Sequence, residues 1–146
     1  DLAQIDFGAY IRTLVNNLRR TYTVNQNAIS WEIQVEPIQL SIDTALPCGL
    51  LINELISNAL KYAFPVGQPG KIHITLHSNS HNEYTLVIRD NGVGLPPELD
   101  VQNTDSLGLQ LVCDSTAQIG GKLEIGRTHG TSFTIQFSEV KYQPRK

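Results

Sequence analysis

The sequence predicts an α/β two-layer sandwich, with helices on one face of a mixed, largely antiparallel sheet. Three observations predict it. Apolar residues recur at helical spacing in Asp6 to Tyr22, Leu50 to Phe64 and Leu107 to Ile119. Apolar and polar residues alternate in Ile29 to Val35, Lys71 to Ser78, Glu83 to Asp90 and the paired runs Lys122 to Gly126 and Thr131 to Phe137. That alternation suits a sheet covered on one side only. The chain has 146 residues, enough for one domain with its own core and too few for two.

Each element has a local reason. Asp6 is a candidate N-cap for a first helix whose stripe is Phe7, Tyr10, Ile11, Leu14, Val15 and Leu18. Asn25 to Ala28 reads as a turn into the first strand. Pro37 ends that strand, and Ile38 to Ile42 offers a short second one. Asp43 or Thr44 is placed to cap the central helix, with Pro47 tolerated in its first turn. The helix stops near Phe64 and Pro65, and Val66 to Gly70 is a Gly/Pro loop. Ile72, Ile74 and Leu76 share one face of the next strand. Ser78 to Asn82 turns the chain, and the returning strand points Leu86 and Ile88 inward. Asn91 to Gly94 is a tight turn, and Leu95 to Ser106 is polar, Pro-containing and expected to be mobile. Gly120 and Gly121 stop the third helix. Leu123, Ile125, Phe133, Ile135 and Phe137 are core candidates in the last hairpin. The domain is expected to span residues 1–140, with a frayed basic tail over 141–146.

Composition narrows the function. Net charge is −3, and basic residues cluster only at Arg19-Arg20 and in the tail, which argues against nucleic acid as a partner. No run is long enough to span a membrane, and no basic-then-apolar segment opens the chain. The chain begins at Asp1, as a piece of a longer protein would. Cys48 and Cys113 have no metal-ligand spacing, fit no disulfide framework and have no histidine placed to activate them; both read as structural thiols in a reducing cytoplasm.

Three stretches carry chemistry. On the central helix, Ile52, Leu55, Ile56, Ala59 and Ala63 form the apolar stripe. At 100° per residue Glu54, Asn58 and Lys61 fall on the opposite side, so a carboxylate, an amide and an ammonium project together. An ordinary amphipathic helix with a polar outside is the bland alternative. Second, Asp90 ends a strand and runs into Asn-Gly-Val-Gly. A carboxylate beside closely approachable backbone can accept a hydrogen bond from an exocyclic amine such as adenine N6. Guanine presents an oxygen there, and facing acceptors cost about 1–3 kcal/mol. A plain Asn-Gly hairpin turn is the competing reading. Third, Ser106-Leu-Gly-Leu-Gln-Leu-Val leads a flexible segment into a helix whose first amides can bind phosphate oxygens. Gly130-Thr131 opens the final strand, as glycine does in many hairpins.

In this order and at these separations the pieces resemble the nucleotide-binding fold shared by histidine kinases, DNA gyrase, the MutL repair proteins and a heat-shock chaperone, the GHKL superfamily with its Bergerat fold. Glu54-Leu-Ile-Ser-Asn58-Ala-Leu-Lys61-Tyr62 is similar to the N box. Asp90-Asn-Gly92-Val-Gly94 resembles the G1 box, Gly108-Leu109 a reduced G2 box, and Gly130-Thr131 the last box. The resemblance covers Ile5 to Ser138. The continuation into Tyr62-Ala-Phe-Pro and the Ser-Leu-Gly-Leu-Gln-Leu-Val stretch look like the catalytic domain of a sensor histidine kinase, in the subgroup with glutamate at the first N-box position.

That resemblance implies roles. Asn58 would hold Mg²⁺, which bridges the phosphates of ATP. Lys61 would approach a phosphate and Tyr62 line the same wall. Asp90 would read adenine N6, directly or through water, with Gly92 and Gly94 giving the base room. Leu107, Gly108 and Leu109 would belong to the lid, and Thr131 would help close the adenine end. Glu54 is the catalytic candidate, orienting or deprotonating an attacking histidine. In ATPase branches the matching glutamate orients water.

The chain departs from the pattern at Ser106 and Thr104, where glycines are usual. Nothing resembles the helix pair that carries the phosphoacceptor histidine, and His73, His77, His81 and His129 read as structural or solvent-facing. The acceptor is therefore expected in a dimerisation domain outside this chain or in another protein. A response regulator would act downstream, in a two-component system, and homodimerisation is expected only of the full-length protein. The resemblance also leaves open an ATP hydrolase or an anti-sigma-type serine kinase, and a scaffold that binds nucleotide without turnover.

Overall fold

The computed structural model describes residues 4–22, 29–65, 68–96 and 98–139. The expected turn at Asn25 to Ala28, Val66 and Gly67 of the Gly/Pro loop, and the basic tail lie outside those residues.

β1 (Gln4–Asp6) pairs antiparallel with β3 (Gln39–Ser41) as a small separate ribbon. α1 (Phe7–Thr21) follows at once. The Asp6 carboxylate accepts the Ala9 N–H at 3.1 Å and caps it, as the sequence predicts. Phe7, Ile11, Val15 and Leu18 are buried at helical spacing, and Arg19 and Arg20 complement the C-terminal end of the helix dipole.

The main sheet has the order β2-β4-β5-β7-β6. β2 (Ile29–Val35) runs parallel to β4 (Gly70–Ser78). β5 (Glu83–Asp90), β7 (Thr131–Ser138) and β6 (Lys122–Gly126) continue antiparallel. Register is fixed by the inward face: Ile74 stands opposite Ile88, Leu76 opposite Leu86, and Leu86 opposite Ile135. A slip by one residue would turn every one of these side chains to the other face. Against that face lie Leu51, Ile52, Leu55 and Ile56 of α2 (Ile42–Asn58), all buried. Leu109 and Val112 of α3 (Leu107–Gln118) complete the layer. The two-layer α/β sandwich is the predicted one.

α2 differs from expectation at both ends. Its cap residue is Ser41, not Asp43 or Thr44. The Ser41 N–H and hydroxyl both donate to the carboxylate of Glu139, at 3.0 and 2.8 Å, so a residue from the far end of the chain anchors the helix start. Asp43 is already helical, where its charge still suits the positive end of the dipole. Pro47 lies one turn deeper than predicted and deprives the Asp43 carbonyl of its usual partner. At the other end α2 widens into a π-helical turn, Ala59–Ala63. Such turns are most often single and local, and they re-aim the residues beyond them.

The segment from Leu95 to Ser106 has more structure than a polar loop. Leu95 and Leu99 pack on the core, and Val101 is buried within a short 3₁₀ turn, Val101–Asn103. Asp100 accepts the Gln102 N–H and the Asn103 side chain, each at 3.0 Å. α3 closes as predicted, with the Gly121 N–H reaching the Thr116 carbonyl and the Gly120 N–H that of Ala117.

Candidate functional site

Where α2 widens, the sheet and the helical layer part around a cavity of about 460 Å³. One wall is Leu55, Asn58, Ala59, Tyr62 and Ala63. The end of β5 and the loop after it supply Asp90, Gly94, Leu95 and Leu99; the approach to α3 supplies Thr104, Ser106 and Leu109; β7 supplies Thr131 and Phe133. The lining is mostly apolar with a few polar groups, the usual make-up of a small-molecule site.

Asp90 is the buried charge of the site, 8% exposed. Its Oδ1 accepts the Gly92 N–H at 2.9 Å, and the Thr131 N–H also donates to the carboxyl. Burial pushes its pKa above the ordinary carboxylate value, and the two N–H donors offset part of that rise. The turn after Asp90 is held by close backbone approach. The Val93 N–H donates to the Ala63 carbonyl at 2.8 Å, and any side chain on Gly92 would run into that same carbonyl. Gly130 has φ +108 and lies against the Asp90 carbonyl, which explains the glycine before Thr131. The π-turn, the end of β5 and the start of β7 therefore meet at one point.

Asn58 is the last residue of α2 and lines the cavity. Tyr62 lines it too, while remaining 72% exposed, an aromatic ring at the mouth. Glu54 is half-buried just beyond the cavity, its carboxylate beside Gly108. Lys61, like Glu54, lies outside the cavity lining. It belongs to the π-turn, and its Nζ lies 5.9 Å from the centre of the Tyr22 ring. Leu107 is exposed and lies outside the lining, whereas Leu109 is buried within it.

Ser106 and Thr104 organise the approach to α3. The Ser106 hydroxyl accepts the Leu109 N–H at 3.3 Å, and the Ser106 N–H donates to the Thr104 hydroxyl at 3.1 Å. Gln110 donates to the Thr104 carbonyl at 2.7 Å. Ser106 thereby caps α3, a role missed from the sequence although a serine before a helix start signals it. The wall was not legible in the sequence, because Phe133 reads simply as core and Leu95 and Leu99 as part of a mobile loop. Among the described residues no group of histidine, cysteine or acidic side chains forms a metal cluster, and no helix is long and apolar enough to cross a membrane.

Residues 44–141, more than half of the chain, match the family described as histidine kinase-, DNA gyrase B- and HSP90-like ATPases. The chain belongs to that family. Within this ATPase family it is similar to blue-light-activated histidine kinase 2 of Erythrobacter litoralis, 25% identical over 142 residues. That match covers 97% of this chain and 40% of the relative. It is 33% identical over 101 residues to the sensor histidine kinase PdtaS of Mycobacterium tuberculosis, covering 66% of this chain and 20% of that one. The solved histidine kinase domain of the Erythrobacter litoralis EL346 blue-light activated kinase superposes with a TM-score of 0.85 at 26% identity, covering 91% of this chain and 61% of that one. The chain thus spans two fifths or less of these curated relatives. Its fold is that of the histidine kinase ATPase domain.

Proposed function

We propose that this domain binds ATP with Mg²⁺ and transfers the γ-phosphoryl group to a histidine on a dimerisation domain. The observation that carries the reading is the pairing of a buried carboxyl, Asp90, with an amide, Asn58, across one mostly apolar cavity. Adenine occupies the Asp90 side. Its N6 amine donates to the carboxylate directly or through water, and Gly92, Gly94 and Thr131 shape the space around it.

The donor set fits magnesium. Mg²⁺ keeps several waters and is commonly held by one or two protein oxygens plus substrate phosphates, not by an all-protein cage. Asn58 would supply one such oxygen, and a metal held there would offset the phosphate charge. Lys61 leaves Tyr22 to approach a phosphate, and Tyr62 stands at the mouth. Leu107, Gly108 and Leu109 carry the helix start that covers the triphosphate. The acceptor imidazole nitrogen forms a bond to the γ-phosphorus while the bond to the β–γ bridging oxygen breaks and ADP leaves. Glu54 orients that imidazole and takes its proton. We read the glutamate at this position as placing the chain in the corresponding kinase subgroup.

Residues 1–140 form the catalytic unit and 141–146 a tail. The acceptor histidine belongs to a dimerisation domain of the same or a partner protein. The full protein acts as a homodimer, with this domain in the cytoplasm where ATP is supplied, and passes the phosphoryl group to a response regulator. Mixing the chain with a purified histidine-bearing helical domain and γ-labelled ATP tests this. Acid-labile, base-stable label on the acceptor is the expected result. Phosphate release without label would assign the chain as a hydrolase, and binding with neither as a scaffold.

A further inference from the structure

The turn between β6 and β7 looks in sequence like a plain hairpin connection, and Arg127 within it like a solvated charge. The guanidinium instead reaches across the fold. Nη1 donates to the Pro96 carbonyl at 3.0 Å and Nη2 to the Leu99 carbonyl at 2.6 Å. Both carbonyls belong to the segment whose side chains Leu95, Pro96 and Leu99 form one wall of the cavity. A planar fork satisfying two carbonyls at once fixes direction as well as distance, which a lysine cannot do. The carboxyl of Asp100 follows directly. Its pKa is held down first by the Asn103 and Gln102 hydrogen bonds and to a smaller degree by the positive charge of Arg127.

The same turn ends in Gly130 and Thr131, which touch Asp90 from the other side. One connection therefore holds the buried carboxyl at its C-terminal end and the cavity wall through Arg127. Without the guanidinium that wall keeps its apolar contacts and its own hydrogen bond from the Leu99 N–H to the Pro96 carbonyl, but loses these two bonds to the β6–β7 turn, and a ligand must fix its position at its own expense.

We propose that Arg127 is a positioning residue for the nucleotide site, holding the wall made by Leu95, Pro96 and Leu99 in its binding geometry before ligand arrives. This rests on the nucleotide reading above. The test is titration of the chain and of R127A and R127K with ADP and with adenosine, well below the melting temperature of each. R127A is expected to raise the Kd for both ligands by the same factor, about tenfold, the worth of roughly one net charge-assisted hydrogen bond. R127K, able to reach one carbonyl, should fall between, and it supplies the comparison if R127A does not fold. Amide exchange over residues 98–103 should quicken in R127A. Unchanged Kd values, with or without a lower melting temperature, would overturn the proposal while leaving the nucleotide reading intact. An unaltered chain that binds neither ligand would overturn the reading and the proposal with it.

Discussion

Glu54 and Gly108 share one space. The Oε2 of Glu54 lies 2.7 Å from where a Cβ on Gly108 would stand, and the Asn58 side-chain nitrogen lies 3.6 Å from the same point. The first turn of α3 thus lies against the acid and the amide that α2 offers, and a side chain at 108 would have to displace the Glu54 carboxylate.

Gly108→Ala tests that contact. Alanine favours the helix by about 1 kcal/mol, so the fold should survive or gain. The added methyl must push the Glu54 carboxylate aside or lift the helix start. Phosphoryl transfer is expected to fall at least tenfold, about 1.4 kcal/mol or more. Removing the carboxylate as well, in G108A/E54A, should restore ADP affinity relative to G108A, a coupling of roughly 0.5–3 kcal/mol in a double-mutant cycle. Additive effects would mean that the two residues do not meet.

Asn58→Ala should remove the strengthening of ADP binding by Mg²⁺. Titrations with magnesium and with a chelator are expected to give different Kd values for the unaltered chain and equal ones for the variant. If magnesium helps both equally, another group holds the metal.

Burial raises the Asp90 pKa, which sets the sign of a pH effect. A carboxyl whose folded pKa lies above its unfolded value favours the protonated folded form. Its contribution to stability is complete below the unfolded pKa and is lost as pH rises through the raised one. Binding runs the other way, since an amine needs the ionised acceptor. Adenosine, which carries no titrating phosphate, should bind more tightly as pH rises through that raised value and then level off. Asp90→Asn should abolish the dependence. A flat profile in the unaltered chain would place the adenine elsewhere.

Glu139→Ala should unfasten the start of α2. Two hydrogen bonds from Ser41 to the carboxylate are lost, and denaturant unfolding is expected to show a loss of about 1–3 kcal/mol. Glu139 lies outside the cavity lining, so ADP affinity of the folded variant should not change. An equal loss of affinity would couple the helix start to the site.

The parts legible in the sequence are those fixed by local pattern. Alternation in β4 and β5 set which side chains face inward, Asp6 announced its helix, and the Asp90 turn showed that a carboxyl meets close-packed backbone. What escaped depends on distant partners or on departures from ideal geometry. Nothing near Ser41 reveals that Glu139, far along the chain, holds the cap residue of α2. A strict 100° rotation assumes an α-helix through Lys61, and the π-turn from Ala59 to Ala63 departs from it. Arg127 has no local signature, because its partners are carbonyl oxygens, which every residue has.

The most direct measurement is calorimetric titration of MgATP into the chain and into Asp90→Asn. The folded variant should bind roughly ten- to hundredfold more weakly, the worth of a hydrogen bond to a charged acceptor, about 1.5–3 kcal/mol. Equal affinity in the two proteins would contradict the assignment of Asp90 to the adenine and with it the reading of the cavity.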